Sequence, residues 1–81
     1  MPATLTPEEQ QKVDAWVNAV RALARQHGVA HRPGVTYAVK SARRLLVTEP
    51  LTQMIYLSSR NAQSAGIPEE ELLAIRTLIF S

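Results

Sequence analysis

Residues 6–28, TPEEQQKVDAWVNAVRALARQHG, decide the fold of this 81-residue chain. Thr6 has the hydroxyl of a helix N-cap, Pro7 suits the first helical position because its missing N–H would have no partner there, and Glu9 stands three residues after the cap, placed to reach back. Val13, Trp16, Val17, Val20, Leu23 and Ala24 recur at the i, i+3, i+4, i+7 spacing of a helix with one buried stripe, while Asp14, Asn18, Arg21 and Arg25 fall on the opposite side. Gly28 supplies the residue that ends a helix after His27, and Val29 is then placed to fold back on its last turn.

The pattern repeats along the chain. Val29 to Gly34 reads as a loop, with Pro33 and Gly34 as breakers, and a second helix is expected from about 35 to 47 on the stripe Val35, Ala38, Val39, Ala42, Leu45 and Leu46. Glu49-Pro50 marks the next boundary. A third helix, about 51–65, buries Leu51, Met54, Ile55, Ser58, Ala62 and Ala65 and turns Gln53, Tyr56, Arg60 and Gln63 outward. Ser58 and Ser59 read as positions that must be small or solvated. Gly66-Ile67-Pro68 separates it from a last helix, about 68–80, whose first turn of Glu69, Glu70 and Glu71 complements the positive end of the helix dipole. The first helix spans about 7–27, so the expectation is an all-α single domain over residues 1–81, a compact bundle of four short helices with short connections that make successive helices neighbours.

Composition bounds the function. A chain of this size buries only roughly 60% of its unfolded surface, so it depends on close packing or on a partner. With 46% apolar and 20% charged residues it lies outside the disordered class, and the absence of cysteine rules out disulfides and thiolate zinc sites as its staples. The first residues lack a basic region followed by an apolar run, and no stretch approaches the roughly 18 apolar residues of a membrane span, so a soluble, cytoplasmic protein is expected. His27 and His31 have the i, i+4 spacing of paired zinc ligands, but Gly28 between them ends the helix that would align them. No nucleophile stands beside a base held by a third group, and the glycines are isolated, without a phosphate loop. No catalytic residue, cofactor, metal or small-molecule substrate is expected, and the chain reads as a non-enzyme.

Two features point toward binding. The net charge of +2 conceals segregation: residues 1–30 are neutral, residues 31–60 carry Arg32, Lys40, Arg43, Arg44 and Arg60 against Glu49 for +4, and residues 61–81 set three glutamates against Arg76 for −2. Arg32, Lys40, Arg43, Arg44 and Arg60, with Tyr37 and Tyr56 available for stacking, are the candidate contacts to an acidic protein surface or to nucleic acid phosphates. The last helix, from Leu72 to Phe80, has only Arg76 and Thr77 as polar residues, so Leu72, Leu73, Ile75, Leu78, Ile79 and Phe80 are the candidate interface to a second copy or to a protein partner. The alternative is that this helix is central and wrapped by the other three.

The segment from Ser58 to Thr77 also resembles a helix-turn-helix: Ala62, Gly66, Ile67, Leu72 and Ile75 have the small-residue, turn-glycine and core spacing of that motif. The resemblance implies DNA reading by the last helix. Asn61 departs from the pattern, and Pro68-Glu69-Glu70-Glu71 would present carboxylates to phosphates. The sequence thus favours an adaptor, inhibitor or regulatory subunit, acting as an oligomer or on a macromolecular partner, with a small nucleic-acid-binding regulator as the alternative.

Overall fold

A computed structural model describes residues 6–43 and 51–80, the side chain of Thr52 excepted, and shows four helices: α1 (Pro7–Gln26), α2 (Pro33–Ala42), α3 (Leu51–Ala65) and α4 (Glu69–Phe80). The all-α bundle is therefore as expected. Helix α2 packs on α1 and most extensively on α3, and α4 returns to α1 while touching α3, so the chain closes on its first helix. The expected stripe residues Leu45 and Leu46, and Val47 at the expected end of the second helix, lie outside the described residues.

The helix starts and stops follow from their sequences. At α1, Thr6 Oγ1 accepts from the Glu9 amide at 3.1 Å while the Thr6 amide donates to Glu9 Oε1 at 2.9 Å, a reciprocal capping box. Its far end is a Schellman turn, in which the Val29 amide donates to the Ala24 carbonyl (2.8 Å) and the Gly28 amide to that of Arg25 (3.1 Å). Helix α3 ends the same way, with Ile67 donating to Ala62 at 3.2 Å and Gly66 to Gln63 at 2.9 Å. At φ +111° Gly66 occupies backbone space that side chains avoid. In both turns the residue after the glycine, Val29 or Ile67, folds back into the core.

Both boundaries of α2 differ from expectation, and its end falls at Ala42, with Arg43 as the C-cap residue, in place of about 47. Pro33 and Gly34 do not lie in a loop before α2; they are its first two residues. A proline at that position gives up only an N–H that would have had no partner, and its fixed φ is already helical. Gly34 is there because α2 and α3 touch: a Cβ on it would sit 2.8 Å from the Asn61 carbonyl oxygen and 2.9 Å from Ala65 Cβ. Gly34, Ala38 and Ala42, one turn apart on α2, face a strip of α3 that includes Ser58, Ala62 and Ala65, and small side chains on both sides let the two backbones approach.

Trp16, fully buried, is the largest side chain of the core, and around it pack Val13, Val17, Val20 and Ala24 of α1, Val29 of the turn that follows, Val35, Ala38 and Ala42 of α2, Ile55, Ala62 and Ala65 of α3, and Ile67 and Leu72. Its indole N–H donates to Ser58 Oγ at 2.8 Å, and the Ser58 hydroxyl donates to the Ala38 carbonyl at 2.6 Å. One hydroxyl thus ties α1, α3 and α2 together inside the core. Ser59, also buried, donates to the Ile55 carbonyl one turn back at 3.0 Å. Both serines are small, as expected; neither is solvated. Among the described residues no buried side-chain polar atom lacks a partner, as a well-packed interior requires.

Candidate functional site

Helix α4 is not the wrapped, central helix. Leu72 alone is fully buried on it, and so belongs to the core and not to an outward interface; Ile75, Ile79 and Phe80 are half-buried against that core. The Phe80 ring meets Trp16 edge-on, centroids 6.4 Å apart and planes at 61°, one of the favoured aromatic geometries. What remains outward is Leu73, Ala74, Thr77 and Leu78, with Leu73 51% and Leu78 80% exposed. The face carries no charge after Glu70.

Exposed apolar bulk is concentrated in the second half of the chain. Of the five large hydrophobic residues exposed among the described residues, Tyr56 and Leu57 lie on α3 and Leu73 and Leu78 on α4, leaving only Tyr37 elsewhere. A cleft of about 250 Å³ between α3 and α4 is lined by Ile55, Tyr56, Arg76 and Phe80. The Arg60 guanidinium carbon lies 6.0 Å from the centre of the Tyr56 ring, within reach of a cation–π contact. Tyr56 therefore joins an apolar cleft to a cation.

The acidic start of α4 is largely engaged within the chain. Glu69 pairs with Arg76 at 2.6 Å and accepts from Gln63, while Glu71 Oε1 lies 2.8 Å from His27 Nε2 at the end of α1. These contacts pin the start of α4 to α3 and α1 as well as satisfying the dipole. The turn Gly66-Ile67-Pro68 does join two helices as in a helix-turn-helix, with Leu72 buried and Ile75 half-buried. The outward face of the second helix, however, holds Leu73, Ala74, Thr77 and Leu78 and no basic side chain.

The basic residues expected to act together stand in different local surroundings. Arg32 caps α3: its guanidinium donates to the Ala65 carbonyl at 2.8 Å, where the negative end of the helix dipole favours a cation. Replacing Arg32 with alanine should therefore cost about 1 kcal/mol of stability, the net worth of one hydrogen bond to a partly exposed charged group, read as a lower urea midpoint. Lys40 and Tyr37 share a shallow pocket with Ser41 and Asn61, whose Nδ2 donates to Ser41 Oγ at 3.0 Å. Arg43 is exposed just after α2, Arg60 lies against Tyr56, and Arg44 is outside the described residues.

A different basic cluster is assembled that the charge count along the chain conceals. Arg21 and Arg25, one turn apart on α1, line an open groove of about 460 Å³ with Thr36, Val39 and Lys40 of α2, over Val35 and beside Ala30. No acidic residue lines it, and none of its three cations has an ion-pair partner among the described residues. Arg21 and Arg25 were obscured in the sequence because Glu8, Glu9 and Asp14 neutralise residues 1–30 in the sum. In space those acids lie toward the start of a 20-residue helix and the arginines in its second half.

Among the described residues, no group of three or more His, Asp or Glu side chains is placed to hold a metal ion, and no helix is long and apolar enough to cross a membrane. Comparison with protein-family models, with curated proteins and with solved structures finds no match to this chain.

Proposed function

We propose that the chain is a non-enzymatic interaction module of the adaptor, inhibitor or regulatory-subunit kind, which pairs with a second copy of itself through the outward face of α4. The observation that carries this reading is the exposure of Leu73 and Leu78 on a helix whose outward side has no charge beyond Glu70. Apolar surface concentrated in one region marks an interaction site, and a closed pair of identical chains covers it twice over with a single self-complementary patch. Tyr56 and Leu57 on α3 are exposed as well. Aromatic residues are among those enriched at such contacts.

Size sets the expected strength. Twelve residues of helix are about 18 Å long, and a standard interface buries roughly 800 Å² per partner. A face this short supports a concentration-dependent pair, not an obligate one. Light scattering across the micromolar range should show mass rising from monomer toward dimer. Changing Leu73 and Leu78 together to lysine should hold the chain monomeric while leaving thermal stability nearly unaltered, because both side chains already face solvent. A wild-type monomer at high micromolar concentration that also fails to bind an apolar dye would overturn the reading.

A further inference from the structure

The groove between α1 and α2 is a second surface, distinct from the α4 face. We infer that it receives an acidic, amphipathic peptide segment of a partner protein. Its rim is cationic, with Arg21 and Arg25 from one helix and Lys40 from the other, and no acidic side chain among the described residues that line it. Its base is apolar, with Val35 buried and Val39 half-buried and packed on the core. An apolar anchor flanked by carboxylates is the complement of that arrangement: the anchor fills the floor and excludes water, and the carboxylates meet the rim.

The charges themselves are available. Among the described residues the ion pairs involve Lys12, His27 and Arg76, and no described carboxylate pairs with Arg21, Arg25 or Lys40. Guanidinium groups suit carboxylates in particular, because their planar fork meets the two oxygens together. The volume of about 460 Å³ falls within the range of pockets that bury a ligand group. A nucleic acid strand fits less well. The groove offers it no aromatic side chain on which to stack a base, since Tyr37 lies in the neighbouring pocket with Ser41 and Asn61.

The test uses the full chain and a short fluorescein-labelled peptide of glutamates around a central Leu-Phe pair, beside its lysine-for-glutamate counterpart and labelled single- and double-stranded oligonucleotides. The glutamate peptide should bind, and binding should weaken as salt rises. The combined Arg21→Ala, Arg25→Ala, Lys40→Ala variant should lose roughly tenfold or more in affinity, as expected from three rim charges acting together. Thr36→Phe keeps all three cations but fills the groove from an exposed position, and should lose as much. Trp16 fluorescence reports whether each variant keeps its core. The inference is overturned if the wild-type chain fails to bind the glutamate peptide, or binds it no better than the lysine peptide. It is overturned equally if Thr36→Phe binds it unchanged, or if the oligonucleotides bind more tightly through the same three residues, which would make the rim a phosphate-binding surface. Oligomeric state, read separately, is not expected to change in any of these variants.

Discussion

Replacing Gly34 with valine is expected to destabilise the fold by roughly 3 kcal/mol or more, which for a chain of this size is a large share of a total of roughly 4–12 kcal/mol. The first added carbon would lie 2.8 Å from the Asn61 carbonyl oxygen, 2.9 Å from Ala65 Cβ and 3.1 Å from the Ala65 amide nitrogen. Two of these three atoms are backbone, so they cannot swing aside as the end of a side chain would. The helices must separate, and separation loosens the neighbouring Asn61–Ser41 and Ser58–Ala38 hydrogen bonds together. Alanine at the same site makes the same first contact and should cost about 1–3 kcal/mol, as overpacking does, less than valine, whose two further methyl groups need still more room. Urea unfolding followed by circular dichroism separates the two variants; a Gly34→Val midpoint equal to wild type would mean that α2 and α3 do not pack as closely as described.

Ser58→Ala is expected to cost roughly 2–3 kcal/mol, although it removes a single oxygen. The indole N–H of Trp16, with the residue fully buried, would lose its acceptor, and an unsatisfied buried donor costs about 1–3 kcal/mol. The Ala38 carbonyl would lose the Ser58 hydroxyl as well. If the hydroxyl acts as the joint between three helices, Trp16→Phe in the Ser58→Ala background should cost clearly less than the two single changes added together, because the donor that was stranded is then gone. Strict additivity would show that the bond from Trp16 to Ser58 contributes nothing. Combined with Gly34→Val, Ser58→Ala should likewise cost less than the sum, since the two residues serve the same helix contact.

Some of this was legible in the chain and some was not, and the difference follows the range of the interactions. The start of α1 was readable because Thr6, Pro7 and Glu9 act on one another within one turn, and its buried stripe because five of six residues read as core are buried and Leu23 packs beside them. The role of Gly34 was not: a breaker and a close-contact residue look the same until the helix that approaches it is known. Ser58 was read as small, which local pattern supports, but its partners Trp16 and Ala38 are 42 and 20 residues away. Local pattern offers Arg32 as a contact to an acidic surface or to phosphates, whereas its guanidinium donates to a carbonyl 33 residues on.

The candidate surfaces divide in the same way. The apolar excess of α4 was visible in its sequence, while the choice of Leu72 as core and of Leu73 and Leu78 as outward residues depended on which side α1 and α3 cover. The groove is wholly a product of folding. Arg21 and Arg25 lie on the outer side of α1 as periodicity predicts, but only the packing of α2 across that helix brings Lys40 and an apolar floor beside them.

By itself, then, the sequence determined the four helices, the capping box that opens α1, the glycine turns that end α1 and α3, and the buried stripe of α1, because propensity, capping and amphipathic period are settled within a turn or two of chain. Tertiary structure alone decided which small residues are contacts, which charges are neutralised and which are left to act. Those depend on distances between segments far apart in sequence, and nothing in a local pattern encodes what a side chain will meet across a helix interface.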